Sequence, residues 1–137
     1  MKIDHVGIIV RDLGKTIKLY RDLLDVPIVL EENQGWISAI LETDSGKLEL
    51  MQPTDEDNAV AKALAIRGEG IHHLAIEVDD VQSYLNKAEQ LGLTLIDKHP
   101  RIGSEGRMIA FLHPRDLGGV LLEFNMPGSG EKQKNQP

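Results

Sequence analysis

Two histidines and two glutamates stand at matching places in a chain that repeats itself. His5 opens the run His5-Val6-Gly7-Ile8-Ile9-Val10-Arg11-Asp12, and 68 residues later His73 opens His73-Leu74-Ala75-Ile76-Glu77-Val78-Asp79-Asp80. Glu49, in Leu48-Glu49-Leu50, is answered 74 residues later by Glu123, in Leu122-Glu123-Phe124. A six-residue change in spacing is what one loop insertion in the second copy gives. Each of the four interrupts an apolar run, and an unpaired carboxylate buried there costs several kcal/mol. One strand histidine alone is more often structural; two histidines and two glutamates at repeat-matched places make ligation the better reading. A pseudo-twofold relation between the copies carries both pairs to one location. Two imidazoles and two carboxylates on a rigid sheet floor form a candidate divalent-metal site. Hard oxygens and nitrogens without sulfur suit a six-coordinate Mn, Co, Ni or Fe ion better than a closed tetrahedral zinc site. Six coordination leaves two positions open to a substrate that chelates through two oxygens, which makes the site catalytic. His72 points to the opposite sheet face by strand alternation and is left out. His99 and His113 have no repeat partner, and structural and substrate-contact roles are equally open to them.

The elements that must hold these residues can be read from periodicity. Ile3–Val10 is a β-branched strand, Asp12 a helix N-cap, and Ile17, Tyr20 and Leu24 recur at helical spacing. Pro27 lies just past the helix. Extended segments follow at Ile28–Glu32, Trp36–Glu42 and Lys47–Met51, the last two joined by Thr43-Asp44-Ser45-Gly46. The second copy gives strand Ile71–Val78, cap Asp80, helix Val81–Leu91, stop Gly92, and extended segments Thr94–Lys98, Met108–His113 and Val120–Asn125. Asp55–Arg67 reads as a connecting helix with Gly68 as its C-cap. The expected fold is therefore α+β: two tandem βαβββ modules forming one domain with a metal-binding cleft. The domain is expected over 1–127, with modules at 1–53 and 69–127, the connecting helix at 54–68, and a disordered tail at 128–137.

Composition narrows the function classes. The 137 residues carry a net charge of −7, with 41% hydrophobic and 27% charged residues. That suits a globular domain and argues against a general nucleic-acid binder. No run approaches the roughly 18 apolar residues of a membrane span. With no cysteine, disulfides, thiolate metal sites and cysteine nucleophiles are excluded together. The absence of a visible signal peptide leads to the expectation of a cytoplasmic protein.

The doubled unit with His5, Glu49, His73 and Glu123 resembles the vicinal oxygen chelate (glyoxalase/bleomycin resistance/dioxygenase) superfamily. Within it, Ile3-Asp4-His5-Val6-Gly7-Ile8-Ile9-Val10, Lys47-Leu48-Glu49-Leu50-Met51-Gln52-Pro53 and Arg67-Gly68-Glu69-Gly70-Ile71-His72-His73-Leu74-Ala75 resemble methylmalonyl-CoA epimerases. So do Pro100-Arg101-Ile102-Gly103 and Phe111-Leu112-His113-Pro114-Arg115, followed by Gly118-Gly119-Val120-Leu121-Leu122-Glu123. The resemblance covers residues 3–126. It implies interconversion of (2R)- and (2S)-methylmalonyl-CoA by proton abstraction alpha to the thioester, through an enolate. It further implies Co2+ as the ion, with Mn2+, Ni2+, Fe2+ or Zn2+ as substitutes, and a homodimer. By the same resemblance His5, His73 and Glu123 are ligands, joined by position 49, which is Gln in some members and Glu in others. Some members place a further glutamate, proposed as an acid/base, where this chain has Ser38.

Epimerisation requires a proton donor and acceptor on opposite faces of the planar intermediate, and Glu49 and Glu123 are the candidates. For the acyl-CoA partner, Lys98–Asp116 carries a local positive excess that could meet phosphates, although a solvated loop has the same composition. Two rival functions remain open. One is a glyoxalase I-type lyase acting on a glutathione or thiol conjugate, and the other a metal-free small-molecule-binding module of the bleomycin-resistance kind.

Overall fold

The computed structural model describes residues 1–128. Most of the expected disordered tail, from residue 129, lies outside the described residues; Gly128 itself is buried. The elements run β1 (Lys2–Ile9), α1 (Leu13–Leu24), β2 (Ile28–Glu32), β3 (Trp36–Thr43), β4 (Gly46–Pro53), α2 (Ala59–Arg67), β5 (Gly70–Glu77), α3 (Val81–Gln90), β6 (Arg101–Ile102), β7 (Met108–Leu112) and β8 (Leu122–Met126). Short 3-10 turns occupy Ser104–Gly106 and Pro114–Asp116. The class is α+β, and the strand-helix-three-strand order occurs twice, as the repeat implies. The chain divides into two compact units, residues 5–72 and residues 73 onward together with Met1–Asp4.

In the unit of residues 5–72 the strands lie in the order β2-β3-β4-β1. β1 and β4 pair in parallel, while β2-β3 and β3-β4 are antiparallel. Asp12 starts α1 by accepting from the Lys15 N–H at 3.0 Å, satisfying a donor that the first helical turn leaves over. Leu13, Ile17 and Tyr20 then face Ala39, Leu41 and Leu50 in one apolar cluster. Asp25 ends the helix in the left-handed region at φ 51°. The other sheet face carries Ile9 and Met51, covered by Val60, Ala63 and Leu64 of α2.

The connecting helix is shorter than expected. The Asp55 carboxylate accepts from the Asp57 N–H at 3.0 Å and from the Asn58 side chain at 2.7 Å, closing a turn where the sequence predicts a first helical turn. Asn58 is the cap instead, accepting from the Ala61 N–H at 2.9 Å.

In the second unit the order is β5-β8-β7-β6. Asp80 caps α3, and Val81, Leu85 and Ala88 pack on Ala110, Leu112 and Phe124. One expectation fails here. Thr94–Lys98 is not a strand; it makes a single bridge at Leu95 and is pinned to β7 through the Asp97 carboxylate, which accepts from the Phe111 N–H at 2.9 Å. The first hairpin strand is instead the two-residue β6. It stops at Gly103, where a Cβ would lie 2.5 Å from Ile109 Cδ1.

Candidate metal and catalytic site

In the unit of residues 5–72, the parallel pairing of β1 with β4 sets Gly7 beside Glu49. His5, two residues back, therefore lies on the same face as Glu49, while Leu48 and Leu50 turn to the core under α1. His5 Nε2 is 3.3 Å from Glu49 Oε1. The Ser38 hydroxyl, from β3, donates to Glu49 Oε2 at 2.8 Å. Glu49 and Ser38 are both buried.

The second unit repeats this register. β5 and β8 run parallel with Ala75 beside Glu123, so His73 is two residues back on the glutamate's face. His73 Nε2 is 3.7 Å from Glu123 Oε1. The Asn125 amide donates to Glu123 Oε2 at 3.1 Å. Phe111, opposite Glu123 on β7, packs against the His73 ring edge-to-face at 5.6 Å between centroids and fixes its plane. In both units the register partner of the glutamate is a small residue, Gly7 or Ala75. One carboxylate oxygen is engaged by a donor side chain, and the other faces an imidazole nitrogen. Such nitrogen and oxygen donors fit a divalent cation of the Mn-to-Zn series, and the burial of both carboxylates favours a positive charge nearby.

A family model for the glyoxalase/bleomycin resistance protein/dioxygenase superfamily matches residues 4–111. The chain belongs to that superfamily. Bos taurus mitochondrial methylmalonyl-CoA epimerase is 31% identical over 128 residues, 90% of this chain and 73% of the bovine protein. A solved methylmalonyl-CoA epimerase in complex with methylmalonyl-CoA and NH4+ is 38% identical, with a TM-score of 0.85 over 93% of this chain and 95% of that one. A Streptomyces coelicolor methylmalonyl-CoA epimerase variant in complex with 2-nitronate-propionyl-CoA is 37% identical, with a TM-score of 0.86 over 94% and 96% of the two chains.

This superfamily member puts its other histidines to different uses. His113 Nδ1 accepts from the Arg115 N–H at 2.9 Å, so it caps a 3-10 turn, and His99 Nδ1 meets the Gln82 side chain at 3.2 Å. His72 lines a small cavity with Ile9, Ala63 and Arg67, within the unit of residues 5–72. Burial, and then the charge of Arg67, push its pKa down from 6.5 to about 4.

The folded chain thus holds His72 neutral where the unfolded chain would protonate it. Its contribution to stability is fully present above pH 6.5 and is lost as pH falls toward 4. After discounting partial exposure, the loss is on the order of 2 kcal/mol. The thermal midpoint is therefore expected to fall with acidification across that window, and His72→Gln should flatten the slope. A variant with the wild-type slope would remove His72 as the cause.

The basic stretch is less open than its composition suggests. Arg101 pairs with Asp97 at 3.0 Å, and Arg107 turns inward to Glu77 at 2.8 Å. Burial alone would raise the Glu77 carboxyl, but hydrogen bonds and charge from Arg107 and Lys2 outweigh it and hold it below the ordinary carboxylate range. Sequence reasoning missed Asn125 and Arg107 as neighbours of the site. The available signal was the Glu123-x-Asn125 alternation, which puts two polar side chains on one face of a strand whose other face is apolar.

Proposed function

We propose that this chain interconverts (2R)- and (2S)-methylmalonyl-CoA by removing and returning the proton at C2. The observation that carries the reading is likeness to methylmalonyl-CoA epimerases over nearly the whole chain, joined to a histidine–glutamate pair in each unit. His5, Glu49, His73 and Glu123 are proposed to hold one divalent ion. The donor chemistry supports this: His5, His73 and Glu123 each offer an imidazole nitrogen or carboxylate oxygen of the kind that binds metal. When bound, such an ion supplies Lewis acidity for the charge that develops on the thioester oxygen. Cobalt is the proposed ion, and a cytoplasmic homodimer the proposed setting. Among the described residues no helix is long and apolar enough to cross a membrane.

Glu49 and Glu123 are the proposed acid–base pair, one for each face of the planar intermediate. The Ser38 hydroxyl beside Glu49 can donate or accept by rotating, so it can accompany either protonation state of that carboxyl. Burial of both carboxylates keeps bulk water from competing for the proton in transit.

The deciding measurement incubates the protein with (2R)-methylmalonyl-CoA in D2O and follows C2 deuteration by mass spectrometry, with a lactoylglutathione-forming assay in parallel. Deuterium uptake with appearance of the (2S) form is expected, and no lyase turnover. Lyase turnover without exchange at C2 would overturn the reading in favour of the glyoxalase alternative.

A further inference from the structure

Asn125 is 1% exposed, and its side-chain amide sits among a guanidinium and two carboxylates. Arg107 Nη2 donates to Asn125 Oδ1 at 3.1 Å and to Glu77 Oε1 at 2.8 Å. Asn125 Nδ2 donates to Glu123 Oε2 at 3.1 Å and to Asp4 Oδ2 at 3.3 Å. The chemistry of these partners fixes which way round the amide stands. A guanidinium only donates, so the end facing Arg107 must be the carbonyl. Ionised carboxylates only accept, so the end facing Glu123 and Asp4 must be the NH2. The opposite orientation would set donors against donors at the Arg107 end and acceptors against acceptors at the carboxylate end. Arg107 is itself held by Glu77, which Lys2 approaches at 3.3 Å.

We propose that Asn125 is a positioning residue for Glu123, locked in one orientation by Arg107, and that it commits Oε2 so that only Oε1 is presented to a cation. Oε1 is the oxygen that faces His73 Nε2 at 3.7 Å. Without the amide, the carboxylate could rotate about its last bond and offer both oxygens, changing the ion's coordination and freeing fewer positions for substrate. This inference rests on the reading of Glu123 as a ligand. Partners of ligating groups of this kind are typically worth about 10–100-fold in metal affinity.

The test titrates Co2+ into metal-stripped full-length protein by calorimetry and records the visible Co2+ spectrum for wild type, Asn125→Leu, Arg107→Gln and Glu123→Gln. Asn125→Leu is expected to weaken Co2+ binding about 10–100-fold and to change the spectrum. Arg107→Gln, which removes the guanidinium that anchors the carbonyl end of the amide, should shift both in the same direction by less. Wild-type affinity and spectrum in Asn125→Leu, with Glu123→Gln impaired, would overturn the positioning role while leaving Glu123 a ligand. Wild-type affinity in Glu123→Gln would instead overturn the ligand reading, and this inference with it. Should Asn125→Leu lose its native circular dichroism, Arg107→Gln decides alone, and unchanged binding there overturns the proposal.

Discussion

Glu123→Gln is expected to lower the rate of C2 deuteration of methylmalonyl-CoA by at least about a thousandfold while the protein stays folded. Two losses combine in one atom's change. A glutamine cannot accept the substrate's proton, and removal of a general base of this kind is worth about 10²–10⁴ in rate. The substitution also replaces an anionic donor with a neutral one in the proposed ligand set. Stability should survive, because Glu123 is 5% exposed and a neutral isostere removes a buried charge rather than creating one. Single-turnover exchange measured beside far-UV circular dichroism separates the two effects. A folded variant with near-wild-type exchange would remove Glu123 from the chemistry.

Stripping the protein with EDTA should have an effect of similar size. Charge stabilisation by a bound ion contributes several kcal/mol at the transition state, which corresponds to about three orders of magnitude in rate. Exchange at C2 is therefore expected to fall to near background in the stripped protein. Stoichiometric Co2+ or Mn2+ should restore it, and Mg2+, which favours all-oxygen coordination, should restore it poorly. Full activity in stripped protein whose metal content is verified as negligible would argue for catalysis by the carboxylates alone.

The architecture was legible because the repeat is written in residue types that carry strong local signals. Asp12 and Asp80 cap their helices as the sequence suggested, since a short acidic side chain before an amphipathic run has few other uses. The two matched offsets mark His5 with His73 and Glu49 with Glu123 as equivalent strand positions, but that each histidine faces the glutamate of its own unit follows from the parallel register, which offsets do not carry. Other features were hidden for physical reasons. Thr94–Lys98 does run beside β7, but the Ile96 and Asp97 N–H groups both donate to the Phe111 carbonyl and the Asp97 carboxylate takes the Phe111 N–H, so the ladder breaks after one bridge for a reason invisible to periodicity. Asp55 likewise satisfies its own neighbours' donors and delays α2 to Ala59. Asn125 is marked in the sequence only by sharing a strand face with Glu123, and its role is set by partners that periodicity does not reveal. Arg107, 18 residues away, and Asp4, at the other end of the sequence, join Glu123 in giving the amide a direction.

The ion pair of Lys2 with Glu77 has a practical consequence for handling this protein. It sits one residue from the N-terminus and is the outermost link of the chain of contacts that runs through Arg107 and Asn125 to Glu123. Because the Lys2 side chain is 68% exposed, added salt should screen that link while leaving the buried ones inward of it intact, so comparisons of variants are better made at one fixed ionic strength.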